Sequence, residues 1–233
     1  MRESSKTNQY RSNEFFREYL SGSVLDIGCG PDPVVLHAKP FDLEHGDASK
    51  ITQYIHGELF DTVYSSHCLE HMENPVASLA EWWSLVRVGG HMVLVVPHED
   101  LYEQGFWPSL YNSDHKATFR IGHAESWSPV SYDLGDLVRS LPGATVVSQE
   151  IHDIGFHYEW RPHISNVPRQ LGTFRKFLSR FRHSVLKRVK HSFRNAVKVE
   201  NSLNSCLAAI GIPVDQTHHG ALAQIQIVAQ KTQ

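Results

Sequence analysis

Val24-Leu25-Asp26-Ile27-Gly28-Cys29-Gly30 opens as a short apolar run and ends abruptly on two glycines one residue apart, with Pro31 next. A buried strand feeding a tight glycine turn is the natural reading. Glycines at the carboxyl end of a strand let the backbone approach a ligand closely, and that end is where open α/β sheets bind ligands. Asp26, at the strand end, can accept a hydrogen bond from a ligand ammonium or a bridging water. A dinucleotide fingerprint needs a third glycine at position 33, where Pro33 stands. A P-loop needs Gly-Lys-Ser/Thr, and Pro31-Asp32-Pro33 supplies none. A nucleoside ligand without a pyrophosphate fits better.

Upstream, Phe15, Phe16, Tyr19 and Leu20 recur at helical spacing and predict a short leading helix over 10–20. Downstream, Phe41 and Leu43 flank Asp42 in a short extended piece, followed at once by Gly46-Asp47-Ala48. Phe60 to Ser65 reads as a further strand. Asn74-Pro75 opens a helix, with Asn as its cap and Pro at its first position. Val76, Leu79, Ala80, Trp83 and Val86 predict its buried face. Gly89-Gly90 is expected to end that helix, and His91 to Val96 is an almost wholly apolar strand, as in a parallel sheet covered on both faces. Pro97 to Pro129 is too long for an ordinary structureless loop and is expected to be functional or to hold short helices. Ser131–Leu141 predicts a helix, Ala144–Gln149 a strand and Ala221–Ala229 a last strand. Strands alternating with helices give an α/β fold, a doubly wound and mostly parallel sheet.

The chain has 233 residues, 41% of them hydrophobic, which excludes global disorder. No apolar run reaches the length of a membrane span, and Met1 to Phe16 lacks the apolar stretch of a signal peptide. Three cysteines without a CxxC pair provide no disulfide framework, so a reducing cytoplasm is expected. The net charge of −3 hides an asymmetry: residues 160–199 carry eleven Lys or Arg and no acid, against 11 basic and 25 acidic residues elsewhere.

Asp26, Gly28 and Gly30 resemble the D-x-G-x-G motif of the class I S-adenosylmethionine-dependent methyltransferases. The likeness continues through Gly46-Asp47-Ala48, Phe60-Asp61-Thr62-Val63, His67-Cys68-Leu69-Glu70-His71 and Val86-Arg87-Val88-Gly89-Gly90-His91. These ordered blocks cover about residues 20–100, and the trailing strands extend the likeness toward 150. The resemblance implies a Rossmann-like sheet, S-adenosylmethionine as cofactor, and one methyltransferase domain over 1–233 with a helical insertion over 155–215. It also implies residue roles. Asp26, Gly28 and Gly30 would line the methionine part of the cofactor, Asp42 would hold the ribose, and Asp47 and Ala48 would meet the adenine. Ser66 and His67 would border the cofactor on its other side. The chain departs from the family between Asp42 and Asp47. Only four residues separate them, too few for the usual helix there, so a strand is truncated or two motifs have merged.

A base at pH 7 is best supplied by histidine. His98 and His115 are the candidates, because acceptor residues of the family often follow the fourth and fifth strands. An Asp-His pairing could orient the base, although Asp114 and His115 are merely adjacent. His67-Cys68-Leu69-Glu70-His71 also spells the inverted zinc-protease motif H-x-x-E-H. It follows a strand and ends at a helix cap, so the long helix that motif needs is missing, and no metal ligand is assigned. Tyr102, Phe106, Trp107, Tyr111 and Phe119 make an aromatic-rich stretch, either an acceptor platform or a loop packed on the core.

Residues 169–198 pattern as a basic amphipathic helix, with Phe174, Phe177, Leu178, Phe181, Val185, Val189 and Phe193 recurring at helical spacing. Three readings stay open: docking on the protein's own core, contact with an anionic membrane surface, or binding a polyanion. Nucleic acid is the least supported partner, since no RNA-binding motif accompanies the segment. The runs Val96-Pro97-His98-Glu99-Asp100-Leu101-Tyr102-Glu103-Gln104-Gly105 and Asp114-His115-Lys116 loosely resemble methyltransferases of bacterial surface-polysaccharide or secondary-metabolite pathways. That resemblance implies O-methylation of a sugar, glycan or other small molecule. The alternatives are a non-catalytic S-adenosylmethionine-binding partner protein and a zinc hydrolase.

Overall fold

The computed structural model describes residues 3–122, 124–162 and 196–233. Two short helices, α1 (Glu3–Asn8) and α2 (Asn13–Tyr19), precede β1 (Val24–Ile27) and β2 (Lys39–Phe41). A 3-10 turn over Ala48–Gln53 leads to β3 (Phe60–Ser66), a second one over Leu69–His71 to α3 (Pro75–Ser84), and then β4 runs over Val86–Pro97. A single π-type turn, Glu99–Glu103, follows. Next come β5 (Thr118–Arg120), β6 (Ser131–Asp133), α4 (Leu134–Arg139), β7 (Ala144–His152), α5 (Ala196–Ala209) and β8 (Gln224–Lys231).

Six strands form the main sheet in the order β2-β1-β3-β4-β8-β7. β2, β1, β3 and β4 are parallel, with Asp26 level with Tyr64 and Tyr64 with Val93. β8 runs antiparallel to both β4 and β7. Alternate side chains sort onto two faces, as the pleat requires. Leu25, Ile27, Val63, Met92, Leu94 and Ile227 pack with Leu79, Trp82 and Trp83 of α3, while Val24, Tyr64, Val93 and Val228 pack under Leu20, Phe15 and Phe16. The expected α/β class with a mostly parallel, two-faced sheet is what the chain adopts.

Several local expectations are corrected. α3 is capped as expected, with Asn74 Oδ1 accepting from Ala77 N at 3.1 Å. Its buried face is Pro75, Ser78, Leu79, Trp82 and Trp83, however, and Val76 is 45% exposed. The two tryptophans set the helix rotation, because their large rings need the core more than Val76 and Ala80 do. The helix ends before the glycines; β4 starts at Val86 and passes through them, with Gly89 at φ +79°. Ser131–Asp133 is extended rather than helical, and Asp133 caps α4 by accepting from Asp136 N. β8 begins three residues later than Ala221.

The compression around Asp42 has a plain structural form. β2 is a three-residue edge strand, its link back to β1 over 28–38 contains no helix, and only the 3-10 turn separates it from β3. Asp42 and Asp47 therefore follow the same edge strand. Most of the basic segment 169–198, and the centre of the expected insertion, lies outside the described residues. Among the described residues no helix is long and apolar enough to cross a membrane.

Candidate functional site

The parallel strands β1, β3 and β4 deliver their carboxyl ends to one edge of the sheet, and the candidate site is built there. Gly28 takes φ +76°, and a Cβ on it would stand 2.6 Å from Cys68 Cβ, so both the backbone angle and the packing require glycine. Gly30 has φ +52° with open space over it; a Cβ would meet only Asp42 Oδ2, at 3.9 Å. Gly28 N donates to Phe41 O at 2.7 Å and Gly30 N donates to Asp42 Oδ2, so the edge strand pins the glycine turn.

Asp26 sits beneath that turn, 1% exposed. Its Oδ2 accepts from Val34 N at 2.6 Å, and its Oδ1 is buried with no hydrogen-bond partner. Burial pushes its carboxyl up to about 7, with the Val34 amide and the Arg11 charge opposing and Asp32 and Asp42 reinforcing the rise. Asp42 divides its carboxylate between Gly30 N and Leu43 N, the latter at 2.7 Å. Asp47 caps the 48–53 turn, accepting from Ser49 N at 2.9 Å and Ser49 Oγ at 2.7 Å, and these bonds hold its carboxyl below the usual range. Ala48 packs partly against the core, and its carbonyl accepts from Trp82 Nε1 at 2.8 Å.

At the end of β3, Ser65 Oγ donates to Ile27 O at 3.0 Å and ties the two strand ends together. The next residue, Ser66, lines the cavity and has a buried hydroxyl without a partner. His67 stands in the left-handed region at φ +53°, held by its N–H to Val95 O at 2.9 Å. Such a conformation is uncommon outside glycine and marks a tightly specified position. His67 Nε2 lies 3.1 Å from Gln224 Oε1, and its Nδ1 lies 3.5 Å from Glu70 Oε1, close enough for charge pairing but without hydrogen-bond geometry. Burial works against both charges. The mutual attraction overrides it, raising the pKa of His67 and lowering that of Glu70.

These residues enclose a cavity of about 360 Å³. Gly28, Cys29 and Gly30 line one end; Ser66 and His67 line its side; Glu70, His71, Tyr102 and His115 line the other end. α1 forms the roof through Glu3, Ser4 and Lys6. It is fastened there by Ser5 N to Asp32 Oδ2 at 2.8 Å and Asn8 Nδ2 to Val34 O at 2.9 Å. Asp26, Asp42, Asp47 and Ala48 lie outside this lining.

The two candidate bases have different surroundings. His98 does not line the cavity; its Nδ1 accepts from Asp100 N at 3.0 Å and caps the Glu99–Glu103 turn. That turn carries Tyr102 and Glu103. His115 lines the cavity, is buried, and pairs through Nδ1 with Glu103 Oε1 at 2.6 Å. The adjacent Asp114 turns away to His71 Nδ1, 3.0 Å distant. Of H-x-x-E-H only Leu69–His71 forms a 3-10 turn, with His67 before it at positive φ, so His67 and His71 share no helix face. Of the aromatic stretch, Tyr102 stands 5.3 Å from the His115 ring and lines the cavity, whereas Phe119 is fully buried against Tyr132. Sequence reasoning missed Glu103, Gln224 and the α1 roof. Nothing periodic marks Glu103, Gln224 reaches His67 across 157 positions, and α1 is held by Asp32 and Val34, 26 to 27 positions away.

The residues suit a sulfonium-bearing nucleoside. The glycine turn admits a ligand against bare backbone, the Ser66 hydroxyl is unsatisfied, and the acids Glu3, Asp32 and Glu70 outnumber Lys6 and His67 around the cavity, which favours a cation. Fold and site together define a Rossmann-like, class I methyltransferase. The chain belongs to the methyltransferase-domain family, whose model matches residues 8–135. S-adenosylmethionine is accordingly its methyl donor. A similar fold is found in a SAM-dependent methyltransferase from Archaeoglobus fulgidus, 16% identical, covering 99% of this chain and 95% of that one with a TM-score of 0.50. The YcgJ protein from Bacillus subtilis is 11% identical over 97% of both chains with a TM-score of 0.46. No curated protein sequence matches the chain.

Proposed function

We propose that the protein transfers the methyl group of S-adenosylmethionine to an oxygen of a small-molecule acceptor, a sugar or glycan being the favoured class. The observation that carries this reading is the continuous cavity running from the Gly28–Gly30 turn to the buried Glu103–His115 pair. In this reading the backbone of Gly28 and Gly30 receives the methionine part of the cofactor, with Asp26 holding the turn in shape from below. Asp42 serves the ribose and Asp47 and Ala48 the adenine. Ser66 and His67 border the cofactor from β3. When bound, the cofactor supplies a methyl group already activated by the sulfonium charge, so the protein's main task is in-line positioning of the acceptor.

The acceptor then lies at the Tyr102 and His115 end. Glu103 accepts from His115 Nδ1, fixing the tautomer that leaves Nε2 free to take the acceptor's proton. His98 acts through another group: by capping the 99–103 turn it positions Tyr102 and Glu103. Contact of the basic segment 169–198 with an anionic membrane surface would suit a lipid-linked glycan.

The test is release of S-adenosylhomocysteine in the presence of a panel of hydroxylated acceptors, monosaccharides, glycans and phenols. Acceptor-dependent release supports transfer, and the acceptor that gives it names the class. Tight cofactor binding with no release for any acceptor would favour the non-catalytic reading.

A further inference from the structure

The acceptor end of the cavity contains a cluster that methyl transfer by itself does not require. Glu70, His71 and His115 each bring one ligand atom into a group whose members lie within 4.8 Å of one another. Glu70 is 1% exposed, and neither of its carboxylate oxygens accepts a hydrogen bond. A buried carboxylate left in that state is costly, more so than a neutral group. His67 at 3.5 Å balances its charge without occupying its lone pairs.

Both imidazoles are already oriented as ligands. His71 gives Nδ1 to Asp114 at 3.0 Å, and His115 gives Nδ1 to Glu103 at 2.6 Å. A carboxylate on one ring nitrogen that leaves the other for a metal is the usual outer arrangement of histidine metal sites. His71 Nε2 stands 3.9 Å from Glu70 Oε1. The two segments that supply the donors are joined through backbone, since Lys116 N and Ala117 N both donate to Glu70 O, at 2.7 and 3.2 Å. The donors are thus held in place with no ion needed to assemble them.

We propose that Glu70, His71 and His115 bind a divalent first-row transition cation through one carboxylate oxygen and two imidazole Nε2 atoms. Two imidazoles with one carboxylate suit Zn2+, Fe2+ or Mn2+ rather than the all-oxygen shells of Mg2+ or Ca2+. All three residues line the cavity, so the cation's remaining positions face the acceptor. This role rests on the methyltransferase reading: the cation would hold the acceptor's hydroxyl oxygen and make it acidic enough to lose its proton to solvent, the resulting alkoxide taking the methyl group as the sulfonium bond breaks, and His115 would then be a ligand rather than the base. The absence of a long helix bears only on a His67–His71 pair. Here His115 replaces His67, arriving from a loop 44 residues beyond His71 in the sequence.

The experiment uses the full chain, stripped with chelator and titrated calorimetrically with Mn2+ and with Zn2+ alone. Binding of S-adenosylhomocysteine is measured on the same samples. Expected is one equivalent of metal in the micromolar range, weakened at least about 100-fold in His115→Ala and His71→Ala, and about 10- to 100-fold in Glu103→Gln. The variants should keep S-adenosylhomocysteine affinity. Pulsed electron paramagnetic resonance of the wild-type Mn2+ complex should show nitrogen couplings from histidine, a readout that does not depend on any variant folding. No metal binding, or a complex without nitrogen coupling, overturns the proposal. If S-adenosylhomocysteine binds while metal does not, the methyltransferase reading stands and the metal site falls. Metal binding with histidine couplings but no S-adenosylhomocysteine binding supports the site and removes its assigned role.

Discussion

His115 and Glu103 meet at 2.6 Å, Nδ1 to Oε1, with both side chains buried. The π-type turn over Glu99–Glu103 brings Glu103 to this position, and His98 caps that turn. The result is an imidazole whose orientation is set from behind and whose other nitrogen is available to the cavity. A neighbouring acid in sequence, Asp114, fulfils the same function for His71 instead.

Loss of that imidazole should therefore affect chemistry more than binding. His115→Ala is expected to lower turnover at least about tenfold, within the usual range for a proton-transfer group. S-adenosylhomocysteine affinity should be unchanged. Steady-state kinetics alongside calorimetry check both halves, and unchanged turnover removes His115 from the reaction.

Asp26 makes stability depend on pH. Its carboxyl ordinarily titrates near 3.8 and is raised to about 7 in the fold, so the native state favours the protonated form. The sign follows: this group's contribution is complete below about pH 4 and is lost as pH climbs through about 7. A shift of about 3 units corresponds to a ceiling of about 4 kcal/mol. Asp26→Asn should remove this dependence. Urea midpoints from pH 5 to pH 8 should fall for the wild type relative to the variant, with the gap levelling off above pH 7. Parallel curves would contradict the assignment.

Gly28→Ala combines a left-handed angle of +76° with a contact 2.6 Å from Cys68. The angle costs about 1–2 kcal/mol and the overpacking about 1–3 kcal/mol. Urea denaturation should show a loss of about 2–5 kcal/mol, the sum of the two effects. The clash involves both Cβ and Sγ of Cys68, so in Gly28→Ala/Cys68→Gly, read against Cys68→Gly alone, the packing part should be recovered while the angle part stays.

Asp47 has a capping role and a proposed ligand role, and substitution separates them. Asp47→Ala removes the acceptor for Ser49 N and should cost about 0.5–2 kcal/mol. Asp47→Ser keeps a cap but not the acid. A contact with the cofactor predicts that both variants bind S-adenosylhomocysteine more weakly; a purely capping role predicts that Asp47→Ser binds it normally.

The fold was largely legible because its determinants are local. A four-residue buried strand running into Gly28, an Asn74-Pro75 cap and the apolar run of β4 each announce themselves within a few residues. The rotation of α3 was not legible, since Val76 and Trp82 are both apolar and only packing decides which is buried. The site was half legible for a similar reason. Ser66 and His67 follow directly from the end of β3. Glu103, by contrast, pairs with a residue 12 positions away across an irregular loop, and Gln224 reaches His67 across 157 positions. Such pairings arise from tertiary structure and leave no periodic trace.

The methyl-transfer reading of this site depends on the Gly28–Gly30 turn and its neighbours binding the cofactor. Calorimetric titration of the wild type, Asp42→Ala and Ser66→Ala with S-adenosylmethionine and S-adenosylhomocysteine tests it most directly. Micromolar binding of both ligands at a single site is expected, weakened at least about tenfold in each variant. Absence of binding to either ligand, or binding that both substitutions leave unchanged, would contradict it.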